Sequence, residues 1–110
     1  MKPWNILILS VVLAGLPAGT ATAHKVTLFA YVESGKIHTE SFFPDGKPVA
    51  GGKLQVFDSR DVLLVEGTTD AQGRFSFAIP AVDDLIIVLD ASMGHKTRFK
   101  LKQAEVEAGK

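Results

Sequence analysis

Apolar and polar residues alternate with a period of two along most of the chain after residue 23, as in strands with one buried face. The first such segment has its apolar positions at Val26, Leu28, Ala30 and Val32. Ser34-Gly35 then forms a two-residue turn, and residues 37–43 return as a second strand. In this register Val32 faces Ile37, Tyr31 faces His38 and Val26 faces Phe43. The pattern therefore predicts a β-hairpin.

Turn clusters rich in Gly, Pro and Asp separate five further predicted strands, at residues 54–57, 62–66, 75–79, 85–89 and 97–101. The segment 85–89 is apolar throughout and predicts a central strand buried on both faces. No segment of adequate length has helical spacing. The polar residues 103–110 are expected to fray as a C-terminal tail.

Short strands separated by turns about every eight to twelve residues predict an all-β fold, a sandwich of about seven antiparallel strands over residues 24–102. A barrel is the alternative. The length of 110 residues fits one domain. Because the chain has no cysteine, its core alone must hold the fold.

Residues 1–23 have the three parts of a secretory signal peptide. Lys2 gives a positive start, residues 6–16 are apolar except for Ser10, and the segment ends in Ala21-Thr22-Ala23. The apolar run is shorter than the about 20 residues that a permanent membrane span needs. We therefore expect cleavage after Ala23 and export to the periplasm or the extracellular space. An uncleaved N-terminal anchor is the alternative.

The composition of the mature chain excludes several kinds of function. Cleavage leaves 87 of the 110 residues and removes Lys2, so the formal net charge changes from 0 to −1. A nearly neutral chain without a basic stripe gives no expectation of a nucleic-acid partner. Without cysteine there is no thiolate chemistry, and neither a zinc-protease motif nor a phosphate-binding loop is present. We expect a protein that is not an enzyme.

The middle of the chain carries a resemblance to a known family. The matching segments are Asp45-Gly46-Lys47-Pro48-Val49-Ala50-Gly51, Gly67-Thr68-Thr69-Asp70 and Gly73-Arg74-Phe75, with Phe77 after them. This pattern resembles carboxypeptidase-regulatory-like domains, which have a transthyretin-like (prealbumin-like) seven-stranded sandwich. The resemblance implies a fold but no activity, because such modules serve as linkers, adhesion units and binding domains.

The ends of the mature chain carry a second resemblance. His24-Lys25-Val26, Tyr31-Val32-Glu33 and the segment Asp90-Ala91-Ser92-Met93-Gly94-His95-Lys96 are similar to small periplasmic proteins that accompany nickel and cobalt uptake transporters. The resemblance implies a role as a transport accessory. It also implies a membrane metal transporter subunit as partner.

His24 is the strongest chemical feature of the sequence. After cleavage at Ala23 it becomes the first residue and offers an α-amino group, whose pKa is about 8, together with an imidazole nitrogen. Such nitrogen donors suit Ni(II), Co(II) and Cu(II). The alternative is that His24 is only the polar residue that follows the cleavage point.

The order of turns predicts which residues lie near His24. If each turn reverses the chain, the loops at 44–52, 69–73 and 91–95 share the end of the sandwich at which His24 lies. This places His95 beside His24 as the second predicted metal ligand, with Asp45, Asp70 and Asp90 nearby. We expect these aspartates to cap turns, Met93 to plug the end of the sandwich, and His38 to be an exposed strand residue near the opposite end.

Two functions follow. The first is an exported, non-enzymatic sandwich that binds Ni(II), Co(II) or Cu through His24 and His95. The alternative is a structural or protein-interaction module of the cell envelope without a metal role. That alternative predicts exposed Phe29, Tyr31 or Phe42 on the outer face of the first hairpin.

Overall fold

The computed structural model describes residues 25–110, so the predicted signal segment and His24 lie outside the described part of the chain. The described residues form seven strands and one short helix. In chain order these are β1 (Thr27–Glu33), β2 (Lys36–Phe42), β3 (Lys53–Phe57), β4 (Leu63–Thr68), β5 (Arg74–Ala78), β6 (Leu85–Asp90), β7 (Lys96–Leu101) and α1 (Gln103–Ala108).

The strands form two antiparallel sheets. One has the order β1-β2-β5 and the other the order β4-β3-β6-β7. In the first hairpin Val32 pairs with Ile37 and Tyr31 with His38, which confirms the predicted register. The prediction of an all-β sandwich of about seven strands is confirmed.

The core lies between the two sheets and consists mainly of the inward-facing side chains, which alternate with outward-facing ones along the strands. The largest fully buried side chains include Ile37, Leu54, Leu85, Ile87, Leu89 and Leu101. Each contributes roughly 1.5–3 kcal/mol by leaving water. Period-two alternation therefore selects the buried face of each strand.

Strand β6 was predicted correctly in its position but not in its burial. It lies between β3 and β7, as expected of a central strand. Leu85, Ile87 and Leu89 are fully buried, whereas Ile86 and Val88 on the other face are only half-buried. The prediction of burial on both faces is wrong, because the outer face of this sheet has no second layer among residues 25–110.

The C-terminal tail is ordered, so the prediction that it frays is wrong. Residues 103–108 form α1, and Val106 is fully buried as part of the core. The backbone N–H of Gln103 donates a hydrogen bond to Asp84 Oδ1 (2.8 Å). Beyond the helix, the Gly35 N–H donates one to the Gly109 carbonyl (2.9 Å). Tertiary contacts thus fix a segment that is too short to be helical alone.

Candidate metal site at the His95 end of the sandwich

The loops at 44–52, 69–73 and 91–95 meet at one end of the sandwich, here called the top end. Thr69 Oγ1 donates a hydrogen bond to the Val49 carbonyl (2.6 Å) and accepts one from the Gly52 N–H (2.7 Å). The ring of Phe43, the residue that follows β2, lies 6.1 Å from the His95 ring, centroid to centroid. These contacts confirm that the three loops share one end.

The remaining reversals meet at the opposite, bottom end. Ser59 Oγ donates a hydrogen bond to Asp83 Oδ2 (2.7 Å), and the Ile79 N–H donates one to the Gly35 carbonyl (3.2 Å). The side-chain and backbone hydrogen bonds from Ser59 hold the pKa of the Asp83 carboxyl below its ordinary value. The predicted alternation of loops between two ends therefore holds throughout residues 25–110.

His95 closes a tight loop between β6 and β7. Its carbonyl accepts a hydrogen bond from the Ala91 N–H (2.8 Å), and its N–H donates one to the Ser92 carbonyl (3.0 Å). Ser92 and Met93 have positive φ values of 71° and 54°. This left-handed backbone turns the chain tightly and brings the half-buried His95 imidazole edge-on against the Phe43 ring.

The start of β1 lies next to this ring pair. Thr27 pairs with Phe42, so Val26 and Phe43 are the residues that immediately precede and follow this last pair of the hairpin. Val26 is buried, and Phe43 packs against the core. His95 thus contacts Phe43, which lies next to the start of the first described strand. His24, the other predicted ligand, lies outside the described residues, and its place relative to His95 stays a prediction.

The aspartates of the top end cap turns, as expected. Asp45 Oδ1 accepts a hydrogen bond from the Lys47 N–H (3.0 Å), and Asp90 Oδ1 accepts one from the Ser92 N–H (2.9 Å). Asp70 Oδ1 accepts two, from the N–H groups of residues 72 and 74 (2.9 Å each). One oxygen of each carboxylate is therefore engaged by the backbone of its own turn.

Met93 does not plug the sandwich. Its side chain is 91% exposed at the tip of the loop, so the predicted role as a hydrophobic plug is wrong. The positive φ values of the loop direct the methionine away from the core. The end of the sandwich is filled instead by Val49 and Phe43, which pack in the core cluster.

Within residues 25–110, no three histidine, aspartate or glutamate side chains are grouped so that they could hold a metal ion. His95 is the predicted ligand that the structure describes, and in the predicted site His24 supplies the other donors. Phe43 is the neighbour that sequence reasoning missed. The sequence feature that could have indicated Phe43 is its predicted position opposite Val26.

His38 lies on β2, away from the top-end loops. Its ring stacks on Tyr31 (5.1 Å between centroids), and its Nδ1 is 2.9 Å from Ser76 Oγ. It faces outward but is half-buried rather than fully exposed. The Ser76 contact comes from the pairing of β2 with β5, two strands that are distant in sequence.

No family model, curated protein or solved structure matches the chain. The two resemblances seen in the sequence therefore stay predictions. Among the helices of residues 25–110, none is long and apolar enough to cross a membrane.

Proposed function

We propose that the mature chain is an exported, non-enzymatic β-sandwich that binds a divalent transition metal. His24 supplies its α-amino group and an imidazole nitrogen, and His95 supplies a third nitrogen. Ni(II), Co(II) and Cu(II) all accept such a set of nitrogen donors. The observation that carries the proposal is the contact of His95 with Phe43, the neighbour of the first strand.

The chemistry of the top end supports this proposal. Cleavage after Ala23 would free an amine that is largely protonated at neutral pH and that a metal ion must deprotonate, so binding is expected to weaken as pH falls. A chelate through the amine and imidazole of one residue needs little ordering of the chain. His95 lies on a tight loop that is fixed by two backbone hydrogen bonds, so it is preorganised to complete the site.

The proposal also assigns the protein a role in metal transport. The segment from Asp90 to Lys96 and the segments at His24 and Tyr31 are similar to the accessory proteins of nickel and cobalt uptake transporters. A membrane subunit of such a transporter is the partner that this role requires. Metal bound at the top end, beside the 91%-exposed Met93, would be accessible to that partner.

Calorimetric titration of the mature protein with Ni(II), Co(II) and Cu(II) tests the metal site, after N-terminal sequencing has shown that the chain begins at His24. We expect at least one ion to bind with a Kd below about 100 μM, or about −5.5 kcal/mol. His95→Ala and an added residue before His24 should each weaken binding at least about tenfold. His38→Ala is the matched control, because His38 is a half-buried histidine elsewhere in the fold. Failure of every ion to bind at this level would contradict the proposal.

A second candidate function has its own support. The alternative predicted exposed aromatic residues on the first hairpin, and Phe29 and Tyr31 on β1 are 51% and 37% exposed. A binding module without a metal role would use this face to dock on an envelope partner. Tyr31→Ala should then abolish capture of the partner, while the double variant at His24 and His95 should leave it unchanged.

A further inference from the structure

The outer face of the three-stranded sheet presents two rows of side chains that cross all three strands. Tyr31, His38 and Ser76 form one row, since Tyr31 pairs with His38 and His38 with Ser76. Phe29, Glu40 and Arg74 form the next row in the same way. Because alternate residues of a strand share a face, both rows point away from the core.

Aromatic rings follow one another along this face and around its edge. Phe99 of β7 lies 5.9 Å from Phe29, Phe29 lies 6.0 Å from Tyr31, and Tyr31 lies 5.1 Å from His38, all between ring centroids. We call these four residues the aromatic arc. Phe29 and Tyr31 remain 51% and 37% exposed although they contact each other. Exposed aromatic side chains that lie together commonly mark an interaction site.

Polar groups surround a shallow depression at the end of the arc. The depression has a volume of about 360 Å³ and is lined by Tyr31, His38, Glu40, Arg74 and Ser76, among others. A volume of this size lies at the small end of the range for small-molecule sites. The lining offers a phenol, an imidazole, a hydroxyl, a carboxylate and a guanidinium, so both donors and acceptors of hydrogen bonds are present.

The charges of this face cancel in neighbouring pairs. Glu40 is paired in register with Arg74, and Glu33 with Lys36. A face with paired charges favours neither an anionic nor a cationic ligand. It offers hydrogen bonds without net charge, which suits a neutral molecule with many hydroxyl groups.

We propose that this face binds a neutral saccharide chain. The apolar C–H face of a sugar ring packs on Phe29 and Tyr31, as aromatic residues pack on flat apolar partners. The hydroxyls of the sugar exchange hydrogen bonds with His38, Glu40 and Arg74. The inference rests on the second candidate function, whose face it shares, and names its ligand. It is independent of the proposed metal site, because neither predicted metal ligand, His24 nor His95, is among these residues.

The size of the face favours a saccharide over a protein. Three strands about 4.8 Å apart and five to seven residues long give a face of at most roughly 15 by 24 Å. A stable protein interface covers about 800 Å² of accessible surface on each partner, so a protein partner would also have to contact residues beyond this face. An oligosaccharide of a few units needs much less and fits along the arc.

Titration of the mature protein with neutral oligosaccharides tests the inference. The probes are cellohexaose, maltohexaose, xylohexaose and N-acetylchitohexaose, with polygalacturonate as an anionic comparison, and the readouts are calorimetry and amide shifts in NMR spectra. We expect at least one neutral probe to bind with a Kd of about 1 mM or tighter and to shift the amides of Phe29, Tyr31 and His38. Tyr31→Ala and Phe29→Ala should each weaken binding at least tenfold. Val62→Ala, which truncates a 51%-exposed residue beside β4 of the other sheet, should not.

Several results would overturn the inference. Binding of none of the neutral probes, binding of polygalacturonate alone, or binding that Tyr31→Ala leaves unchanged would each do so. Sedimentation that shows self-association abolished by Tyr31→Ala would assign the face to a second copy of the chain. If no saccharide binds but Tyr31→Ala abolishes capture of a protein partner, the saccharide is wrong and the second candidate function stands; if Tyr31→Ala has no effect in either assay, both fail.

Discussion

The burial of Val106 gives the sharpest test of the fold, because the sequence pattern predicted a frayed tail at this point. Val106 is fully buried in the core, and Gly109 beyond it packs against the side chain of Val32. Val106→Ala removes two methyl groups, worth about 1.6 kcal/mol at about 0.8 kcal/mol each. The cavity left behind adds to this. We expect a loss of about 2 kcal/mol in the free energy of unfolding.

A loss of this size is large for a domain of this length. At roughly 0.05–0.15 kcal/mol per residue, the described domain has a free energy of unfolding of about 4–13 kcal/mol. The melting temperature should fall by about 8–16 °C, since each kcal/mol shifts it by about 4–8 °C at this size. Far-UV circular dichroism during heating and urea titration measures both quantities. Circular dichroism is the suitable probe because the single tryptophan, Trp4, lies in the predicted signal segment, so the mature chain has no tryptophan fluorescence to follow.

Val62→Ala is the matched control, since it makes the same truncation at a side chain that is 51% exposed. It should cost less than about 0.5 kcal/mol. Equal melting temperatures for the two variants would refute the docked helix and restore the frayed tail. Removal of residues 103–110 should destabilise the domain at least as much as Val106→Ala, because it also removes the hydrogen bond to the Gly35 N–H.

Three further predictions concern the loops and follow from single contacts. Thr69→Val should cost about 3 kcal/mol in urea titrations, because the Val49 carbonyl and the Gly52 N–H lose their partner in a buried site, while Thr69→Ser should retain most of the stability. Gly73→Ala should cost about 2 kcal/mol or more by the same assay; the glycine has a φ of 76°, and an added Cβ would meet the backbone of neighbouring loop and strand residues. The pKa of Asp83 is lowered by hydrogen bonds in the folded state, so its stabilising effect is complete at neutral pH and is lost as pH falls below about 4. Between pH 5 and pH 2.5 the unfolding free energy of Asp83→Asn should therefore fall less than that of the unsubstituted protein. If the two proteins lose the same free energy over this range, the hydrogen bonds to Asp83 do not stabilise the fold.

The candidate site could be predicted from the sequence only in outline. Counting chain reversals placed His95 at the end where the first strand begins, and the contact of His95 with Phe43 agrees. The role of Met93 was missed, since the positive φ values that turn its side chain outward leave no signal in hydrophobic spacing. Met93 is apolar but sits on a loop tip, where the tertiary structure leaves it exposed.

The sequence by itself determined the positions of the strands, the buried face of the alternating strands and the first hairpin register, because period-two alternation and turn residues act over a few neighbouring positions. Tertiary structure alone decided three features. It paired β2 with β5 and so brought Ser76 and Arg74 beside the exposed aromatic residues. It left the outer face of β6 without a second layer, and it folded the polar tail into a helix by burying Val106. The physical reason is common to all three: pairing and docking depend on contacts between residues far apart in the chain, which no local pattern encodes.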